Sequence, residues 1–184
     1  MAQTVLVVGA TGNVSIAAIL GALRAGLNVL AVVCNQELAK KIKEHGVVDK
    51  EFMTQNFESN YSAYRATIPY LLEQKDTPCT WTTCTGSQGD KGDRALPAIS
   101  QGAMFSMAYL AIKGLADTNV CFNEIYLAQR VEVDVVAEEH GTMKSSIFGR
   151  VYANILAKTD LKGCRVRVES ESDVDNLRAQ KHEA

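Results

Sequence analysis

The sequence has no excess of positive charge, since 19 lysine and arginine residues stand against 21 aspartate and glutamate residues spread along 184 positions. Without a basic stripe the chain has nothing to follow a phosphate backbone, so nucleic acid is not expected as a partner. No apolar run reaches the roughly 18 to 20 residues that span a bilayer, and no charged segment followed by an apolar one opens the chain. We therefore expect a cytoplasmic protein that does not enter a membrane.

Metal-ligand patterns are also missing from the sequence. The three histidines stand far apart, and the neighbouring cysteines Cys79 and Cys84 lack the C-x-x-C spacing. The five cysteines form an odd, scattered set, and three of them fall in strand-like runs where cysteine acts as a small apolar residue. We expect buried thiols, no disulfide framework and no metal site.

What the sequence does contain is an alternation of apolar runs and helical periodicity. With 47% hydrophobic residues the chain can bury one sizeable core, so we expect a single domain over 1–184. An apolar run at 3–8 leads through GATGN into a helical segment at 14–25, which ends at Gly26 before a second apolar run at 28–34. This order of strand, glycine turn, helix and strand is typical of the opening βαβ unit of a nucleotide-binding fold.

Further elements follow the opening unit. The patterns predict helices over 36–45, 52–74, 97–116 and much of 133–158, and strands over 78–84, 119–127 and 164–168. The polar, glycine-rich segment TGSQGDKGD follows a strand, at the edge where open α/β sheets bind ligands. We therefore expect an α/β fold with a Rossmann-like doubly wound parallel sheet, shortened to about five strands, with helices on both faces.

From Phe52 onward, the order of elements resembles the second half of a short-chain dehydrogenase/reductase. The family often has Asn, Arg and Pro along its long helix, and here Asn56, Arg65 and Pro69 stand at the matching spacing. The resemblance covers most of the chain. It implies a Rossmann-like fold, a nicotinamide dinucleotide as cofactor and chemistry at the carboxyl ends of the strands.

The chain departs from the family at the catalytic positions. If residues 80–89 are aligned with the family's strand and S-x-x-G turn, the family's catalytic serine, tyrosine and lysine fall on Gly86, Ile99 and Ala103. The groups that the family uses for hydride transfer are therefore missing from those positions.

A literal Y-x-x-x-K does occur at Tyr109 and Lys113. It lies ten residues beyond Ile99 and Ala103, the positions that match the family, which is about 15 Å along the helix axis and away from the ligand edge. We interpret this pair as an exposed or interface pair of the helix.

The cofactor end is altered as well. If a nucleotide binds, the residues expected to hold it are Gly9, Thr11, Gly12 and Asn13. Ser15 stands where the third glycine of the family's turn belongs, and the second strand ends without an acid or arginine for the ribose. Only about twenty residues separate that strand from Asn56, too few for the family's two further βα units. We expect no cofactor, with NADP or NAD as the alternative.

The candidate catalytic residues are the polar groups near the expected ligand edge: Ser87, Asp90, Tyr126, Arg130 and Asn56. Four of the five have a structural alternative: Ser87 as a turn serine, Asp90 as part of a solvated loop, Arg130 in a surface salt bridge and Asn56 as support for a helix bend.

Three classes of function stay open on the sequence. We favour a cofactor-independent, non-redox step on a small-molecule substrate, of isomerase, cyclase or lyase type, narrowly over an NAD(P)-dependent oxidoreductase with an atypical site. The third class is a non-catalytic pseudoenzyme or scaffold. The resemblance also implies a homo-oligomer, a dimer through the helices at 54–74 and 97–116.

Overall fold

The computed structural model describes residues 4–8, 13–32, 53–75 and 78–182 of the chain. Its strands are β1 (Thr4–Val8), β2 (Asn28–Val32), β3 (Cys79–Gly86), β4 (Val120–Leu127), β5 (Val131–Glu132), β6 (Met143–Lys144), β7 (Cys164–Val168) and β8 (Arg178–Lys181). Its helices are α1 (Asn13–Arg24), α2 (Ser59–Glu73), α3 (Gln88–Lys91), α4 (Ala95–Gly114), α5 (Asp134–His140), α6 (Ser145–Ala157) and α7 (Ser172–Asp175), and a π-helical turn, Thr54–Glu58, precedes α2.

The first βαβ unit forms as the sequence predicts. Strands β1 and β2 pair in parallel, with Thr4 opposite Asn28 and Val8 opposite Val32. Helix α1 ends at Gly26, whose φ of 71° lies in the left-handed region that favours glycine. The Leu27 N–H donates to the Ala22 carbonyl over 3.1 Å, which completes a Schellman motif.

The longest sheet has four strands in the order β3-β4-β7-β8. The N–H of Cys79 donates to the carbonyl of Asn119, and the N–H of Gly163 donates to that of Phe122. These bonds join residues near the beginnings of β3, β4 and β7, so the three strands run in parallel. The N–H of His182, after β8, donates to the Gly163 carbonyl before β7, so β8 runs in the opposite direction.

The chain forms two compact units. Unit 1 comprises residues 1–34, 127–161 and 166–180, and unit 2 comprises residues 35–126, 162–165 and 181–184. That the whole chain behaves as a single domain stays a prediction.

In unit 1, α1 packs against α6 through two glycines. A Cβ added at Gly21 would lie 2.2 Å from the Gly149 carbonyl oxygen, and one added at Gly149 would lie 2.6 Å from that of Ala17. Only glycine allows the two helix backbones to come this close.

In unit 2, the inner face of α4 packs against an aromatic cluster on β3 and β4. The rings of Trp81 and Phe122 stack with centroids 5.2 Å apart, and Tyr64 of α2 meets both edge-on. By length and composition α4 could cross a membrane, a property that core helices share. Its buried Met104, Ala108 and other inner residues are typical of a core helix.

These elements confirm the predicted α/β, Rossmann-like fold and all five of the predicted strands. The sequence predicts no strand after 164–168, and this is wrong, because β8 follows it. The sequence of β8, RAQK, is exposed at every position, so it carries no apolar alternation to reveal it. Helix α4 begins at Ala95 and not at Pro97, since a proline in the first turn needs no N–H partner. The helix predicted over 36–45 lies outside the described residues.

Candidate active site

The carboxyl end of β3 carries the first part of the site. The N–H of Gly86 donates to Oε1 of Gln101 on α4 over 2.6 Å. Ser87 follows, and its carbonyl accepts the N–H groups of Asp90 and Lys91 at 3.2 and 3.0 Å. Ser87 is thus the residue before α3, and it acts there through its backbone, because its hydroxyl makes no capping hydrogen bond to the helix. A catalytic role for its hydroxyl stays a prediction.

The acidic residues of the loop face solvent. Asp90 is exposed on α3. Asp93 is also exposed, and its Oδ2 accepts a hydrogen bond from Nε2 of Gln88 over 3.3 Å. Oε1 of Gln88 in turn accepts the Arg94 N–H over 3.2 Å, just before α4 begins. This arrangement fits the solvated-loop interpretation, and catalysis by Asp90 stays untested.

The family's catalytic positions carry no hydroxyl or amine. Gly86 has no side chain, and the side chain of Ile99 is apolar and 61% exposed. Ala103 lines a groove of about 300 Å³ between α2 and α4. If the site transfers protons, the group that donates them must therefore be another residue.

Asn56 lies in the π-helical turn that precedes α2. The Nδ2 of Asn60 donates to the Asn56 carbonyl over 2.9 Å, and the Thr54 hydroxyl donates to the Glu58 carboxylate over 2.8 Å. Turns of this kind are rare and often occur at functional sites. The turn also contacts α4, the helix that bears Gln101. Both roles considered for Asn56, catalytic residue and support for a helix bend, stay predictions.

Tyr126 is buried, with 3% exposure, and its ring stacks on that of Phe105 at a centroid distance of 6.0 Å. The Arg165 guanidinium lies 4.5 Å from the Phe105 ring centroid and 5.5 Å from that of Tyr126. Such contacts combine ring packing with cation–π attraction. Tyr126 therefore belongs to a packed cluster in unit 2, and its hydroxyl could act only at the edge of that cluster.

A buried carboxylate, which the sequence analysis missed, lies beneath this cluster. Glu124 is fully buried, and its carboxylate accepts hydrogen bonds from the Thr85 hydroxyl at 2.7 Å and from Nε of Arg165 at 2.9 Å. The signal was available in VCFNEIYL, because a glutamate within an apolar strand must find a partner.

The literal Y-x-x-x-K motif lies beside the C-terminal end of the chain. The ring of Tyr109 meets the imidazole of His182 edge-on, with centroids 6.2 Å apart, and Nε2 of His182 lies 3.6 Å from Oε2 of Glu124. Tyr109 is 42% exposed and Lys113 is exposed on the last turn of α4. This agrees with an exposed pair of the helix.

In unit 1, Arg130 and His140 converge on Glu132. Nη2 of Arg130 donates to Oε1 of Glu132 over 2.8 Å, although the Arg130 side chain is 69% exposed. Nδ1 of His140 and the hydroxyl of Thr142 lie 3.0 and 2.7 Å from Oε2. The bond from Thr142, together with His140 and Arg130, lowers the pKa of Glu132 below its usual value. Arg130 thus forms the salt bridge that was the structural alternative.

Of the predicted cofactor residues, Gly9, Thr11 and Gly12 lie outside the described residues. Asn13 is the first residue of α1, and its Nδ2 donates to the Val131 carbonyl over 3.1 Å. The first turn of α1 contains no acidic residue, a composition that favours anion binding at a helix N-terminus.

Comparison with known proteins places the chain among dehydrogenases and reductases. No protein-family model matches it. It is 39% identical to a protein of Pestalotiopsis fici named short-chain dehydrogenase/reductase iacG, over an alignment of 238 residues that covers 97% of this chain and 96% of that protein. Because the alignment is longer than the 184 residues of the chain, this chain is shortened relative to that protein.

Two solved structures share the fold. NAD⁺-bound xylitol dehydrogenase is 14% identical with a TM-score of 0.68, and the match covers 90% of this chain and 97% of that chain. An NADH-dependent reductase A1-R' responsible for alginate metabolism is 12% identical with a TM-score of 0.65, and the match covers 92% and 97%.

Proposed function

We propose, since the chain belongs to the short-chain dehydrogenase/reductase family, that it is an oxidoreductase that uses NAD(P) on a small carbonyl or hydroxyl compound through an atypical site. The similarity to a short-chain dehydrogenase/reductase over nearly the full length of both chains carries the proposal. The π-helical turn at Asn56 supports it from the geometry, because the family's long helix has its asparagine at the matching position.

The proposal replaces the reaction class that the sequence alone favoured. The relatives are dehydrogenases and reductases, and nothing in the comparisons supports a non-redox isomerase, cyclase or lyase. The expectation that no cofactor is used has no support either, since the two solved structures are described with NAD⁺ and NADH.

The described residues at the first turn fit the pyrophosphate of a dinucleotide. Helix α1 is the next element after β1, and its first turn carries no negative charge. Backbone N–H groups at such a helix start hold phosphate oxygens. The Asn13 side chain, bound to the Val131 carbonyl, would fix the start of the helix. The bound dinucleotide would supply or accept the hydride.

The chain's own polar groups would then bind and orient the other substrate. Gly86, Ser87 and Gln101 lie together at the end of β3 and the second turn of α4. Ser87 supplies a hydroxyl directly after the family's serine position. Asn56, on the turn that contacts α4, supplies an amide.

A binding and turnover experiment tests the proposal. NADH and NADPH are titrated by fluorescence, and cofactor oxidation is followed with a panel of ketones and aldehydes. We expect binding weaker than low micromolar, because Ser15 and the ribose end of the site depart from the family, together with measurable oxidation. Ser15→Gly restores the third glycine and should tighten binding, whereas the control Ser106→Gly, on the exposed face of α4, should not.

If neither cofactor binds at millimolar concentration and none is oxidised, the proposal is wrong. A second candidate then applies, a non-redox or non-catalytic role, which the residues Gly86, Ile99 and Ala103 favour. Consumption of a metabolite without added cofactor would indicate the non-redox enzyme, and no consumption would indicate the non-catalytic role.

We also propose that the protein is a homodimer through α2 and α4. The groove between these helices is lined by side chains that include Phe57, Tyr61 and Leu110. Tyr61 is 43% exposed and Leu110 is 68% exposed, which is typical of apolar groups that a partner covers.

A further inference from the structure

The side-chain amide of Gln101 lies next to Gly86, the position that matches the family's catalytic serine. A Cβ added at Gly86 would lie 3.5, 3.6 and 3.7 Å from Cδ, Oε1 and Nε2 of Gln101. These are ordinary van der Waals contacts, so the amide packs directly against the side-chain direction of position 86. A polar group from α4 therefore lies in contact with the position where the family has its serine.

The orientation of the amide is fixed by its partner. The Gly86 N–H can only donate, and the atom that it meets at 2.6 Å must therefore be the amide oxygen. The opposite end of the amide is then Nε2, which carries two N–H donors. Among the described residues, no acceptor is found for Nε2 of Gln101, and the side chain is only partly buried. Two oriented donors are thus available to a ligand at the carboxyl end of β3.

We infer that Gln101 binds the carbonyl oxygen of the substrate through the N–H donors of its Nε2. An amide donor suits a neutral carbonyl oxygen, because it needs no proton removed and remains uncharged. The inference rests on the proposed function for its substrate class, a ketone or aldehyde. It adds a substrate-binding residue that the resemblance alone does not supply.

Two variants of Gln101 separate ligand binding from structure. Gln101→Glu keeps an oxygen for the Gly86 N–H but removes both N–H donors. Gln101→Leu removes the oxygen as well. If Gln101 serves the substrate, Gln101→Glu should unfold at the wild-type temperature and lower kcat/KM about tenfold, the effect of losing one neutral hydrogen bond. Gln101→Leu should lower both the unfolding temperature and kcat/KM.

A rescue variant tests the position. Gln101→Ala/Gly86→Ser returns a hydroxyl to the family's place, and the contacts at position 86 leave room for its Cβ. It should recover part of the kcat/KM that Gln101→Ala alone loses, while the affinity for NADPH stays the same in all variants. Equal kcat/KM in wild type and Gln101→Glu would contradict the inference.

A nuclear magnetic resonance titration keeps the inference testable without turnover. The Gln101 side-chain NH₂ signals are identified by their absence in Gln101→Glu, and cyclohexanone is added as the carbonyl probe. We expect these signals to shift, and those of Gln74, exposed beyond α2, to stay in place. If the Gln101 signals do not move, the inference is wrong whether or not other signals move. If they move while no cofactor is oxidised, the oxidoreductase proposal fails and the carbonyl site stands.

Discussion

Nε of Arg165 donates to the fully buried Oε2 of Glu124 over 2.9 Å, and this ion pair joins β7 to β4 within unit 2. Removing one partner of a buried pair leaves the other charge uncompensated. We expect Glu124→Gln to lower the free energy of unfolding by about 3 kcal/mol, measured by urea denaturation. Asp175→Asn is the control, because it breaks the half-exposed pair with Arg150 and should cost less than about 1 kcal/mol. Equal losses in both variants would show that the buried pair contributes no more than a surface one.

The close approach of Gly21 and Gly149 in unit 1 leads to a second prediction. A methyl group at Gly149 would lie 2.6 Å from a backbone oxygen of α1, so α1 or α6 must move. We expect Gly149→Ala to reduce the free energy of unfolding by about 2 to 3 kcal/mol. Gly102→Ala, in the interior of α4 with nothing within 4 Å, should instead stabilise by about 0.5 to 1 kcal/mol. A stabilising Gly149→Ala would contradict the packing.

The sequence was sufficient for the features that depend on local pattern. Apolar runs predicted β1, β2 and β4, helical spacing before a glycine predicted α1, and residues with high strand propensity predicted β3. Strand β8 escaped because its exposed residues show no alternation. The π-helical turn escaped as well, since it has no composition of its own.

Contacts between distant residues could not be predicted from the chain. Glu124 and Arg165 stand 41 positions apart, and Gly86 and Gln101 stand 15 apart. The sequence shows that the glutamate needs a partner, but only the pairing of strands determines which residue supplies it. The same holds for Gln101, whose place beside Gly86 depends on how α4 packs against the end of β3.

The lowered pKa of Glu132 predicts an acid-sensitive unit 1. The Thr142 hydroxyl contributes most to holding this pKa below its ordinary value of 4.5. A carboxyl with a lowered folded-state pKa stabilises the fold fully above its unfolded value, and this stability is lost as the pH falls through the folded value. The unfolding temperature should therefore drop below about pH 4.5.

Thr142→Val tests this dependence, because it removes the hydrogen bond and lets the pKa of Glu132 rise. The variant should unfold at a lower temperature than wild type at neutral pH, and the difference should shrink as the pH falls below 4.5. Thr80→Val, on the exposed face of β3, is the matched control. A difference that is constant with pH would mean that Thr142 does not act through the Glu132 carboxylate.

The proposed dimer depends on the exposed apolar face of α2 and α4. Leu110→Glu places a charge at this face and should convert the dimer to a monomer in light scattering. Leu23→Glu introduces the same charge at a leucine that is 55% exposed on α1, outside the proposed interface, and should leave the dimer intact. A wild-type monomer, or a dimer in the Leu110→Glu variant, would remove this interface.

The last prediction sets the Y-x-x-x-K pair against the strand-end residues. Tyr109→Phe keeps the ring that packs on His182 and loses only a hydroxyl, and Lys113 is exposed on the last turn of α4. Both Tyr109→Phe and Lys113→Ala should therefore leave kcat/KM close to wild type. We expect Tyr126→Phe or Arg130→Ala to lower kcat/KM by a factor that corresponds to about 1 to 3 kcal/mol of activation free energy, the effect of one hydrogen bond to a charged or buried partner.

The readout is ketone-dependent NADPH oxidation, with unfolding temperatures measured on the same samples to separate lost turnover from lost packing. This control matters most for Tyr126, because its ring stacks on Phe105. Tyr126→Phe keeps that ring, so a loss of kcat/KM at an unchanged unfolding temperature would report the hydroxyl alone. The alignment that matches the family's tyrosine with Ile99 would be contradicted most clearly by the reverse result. If Tyr109→Phe abolishes turnover while the strand-end variants are silent, that alignment is wrong, and Tyr109 with Lys113 becomes the catalytic pair.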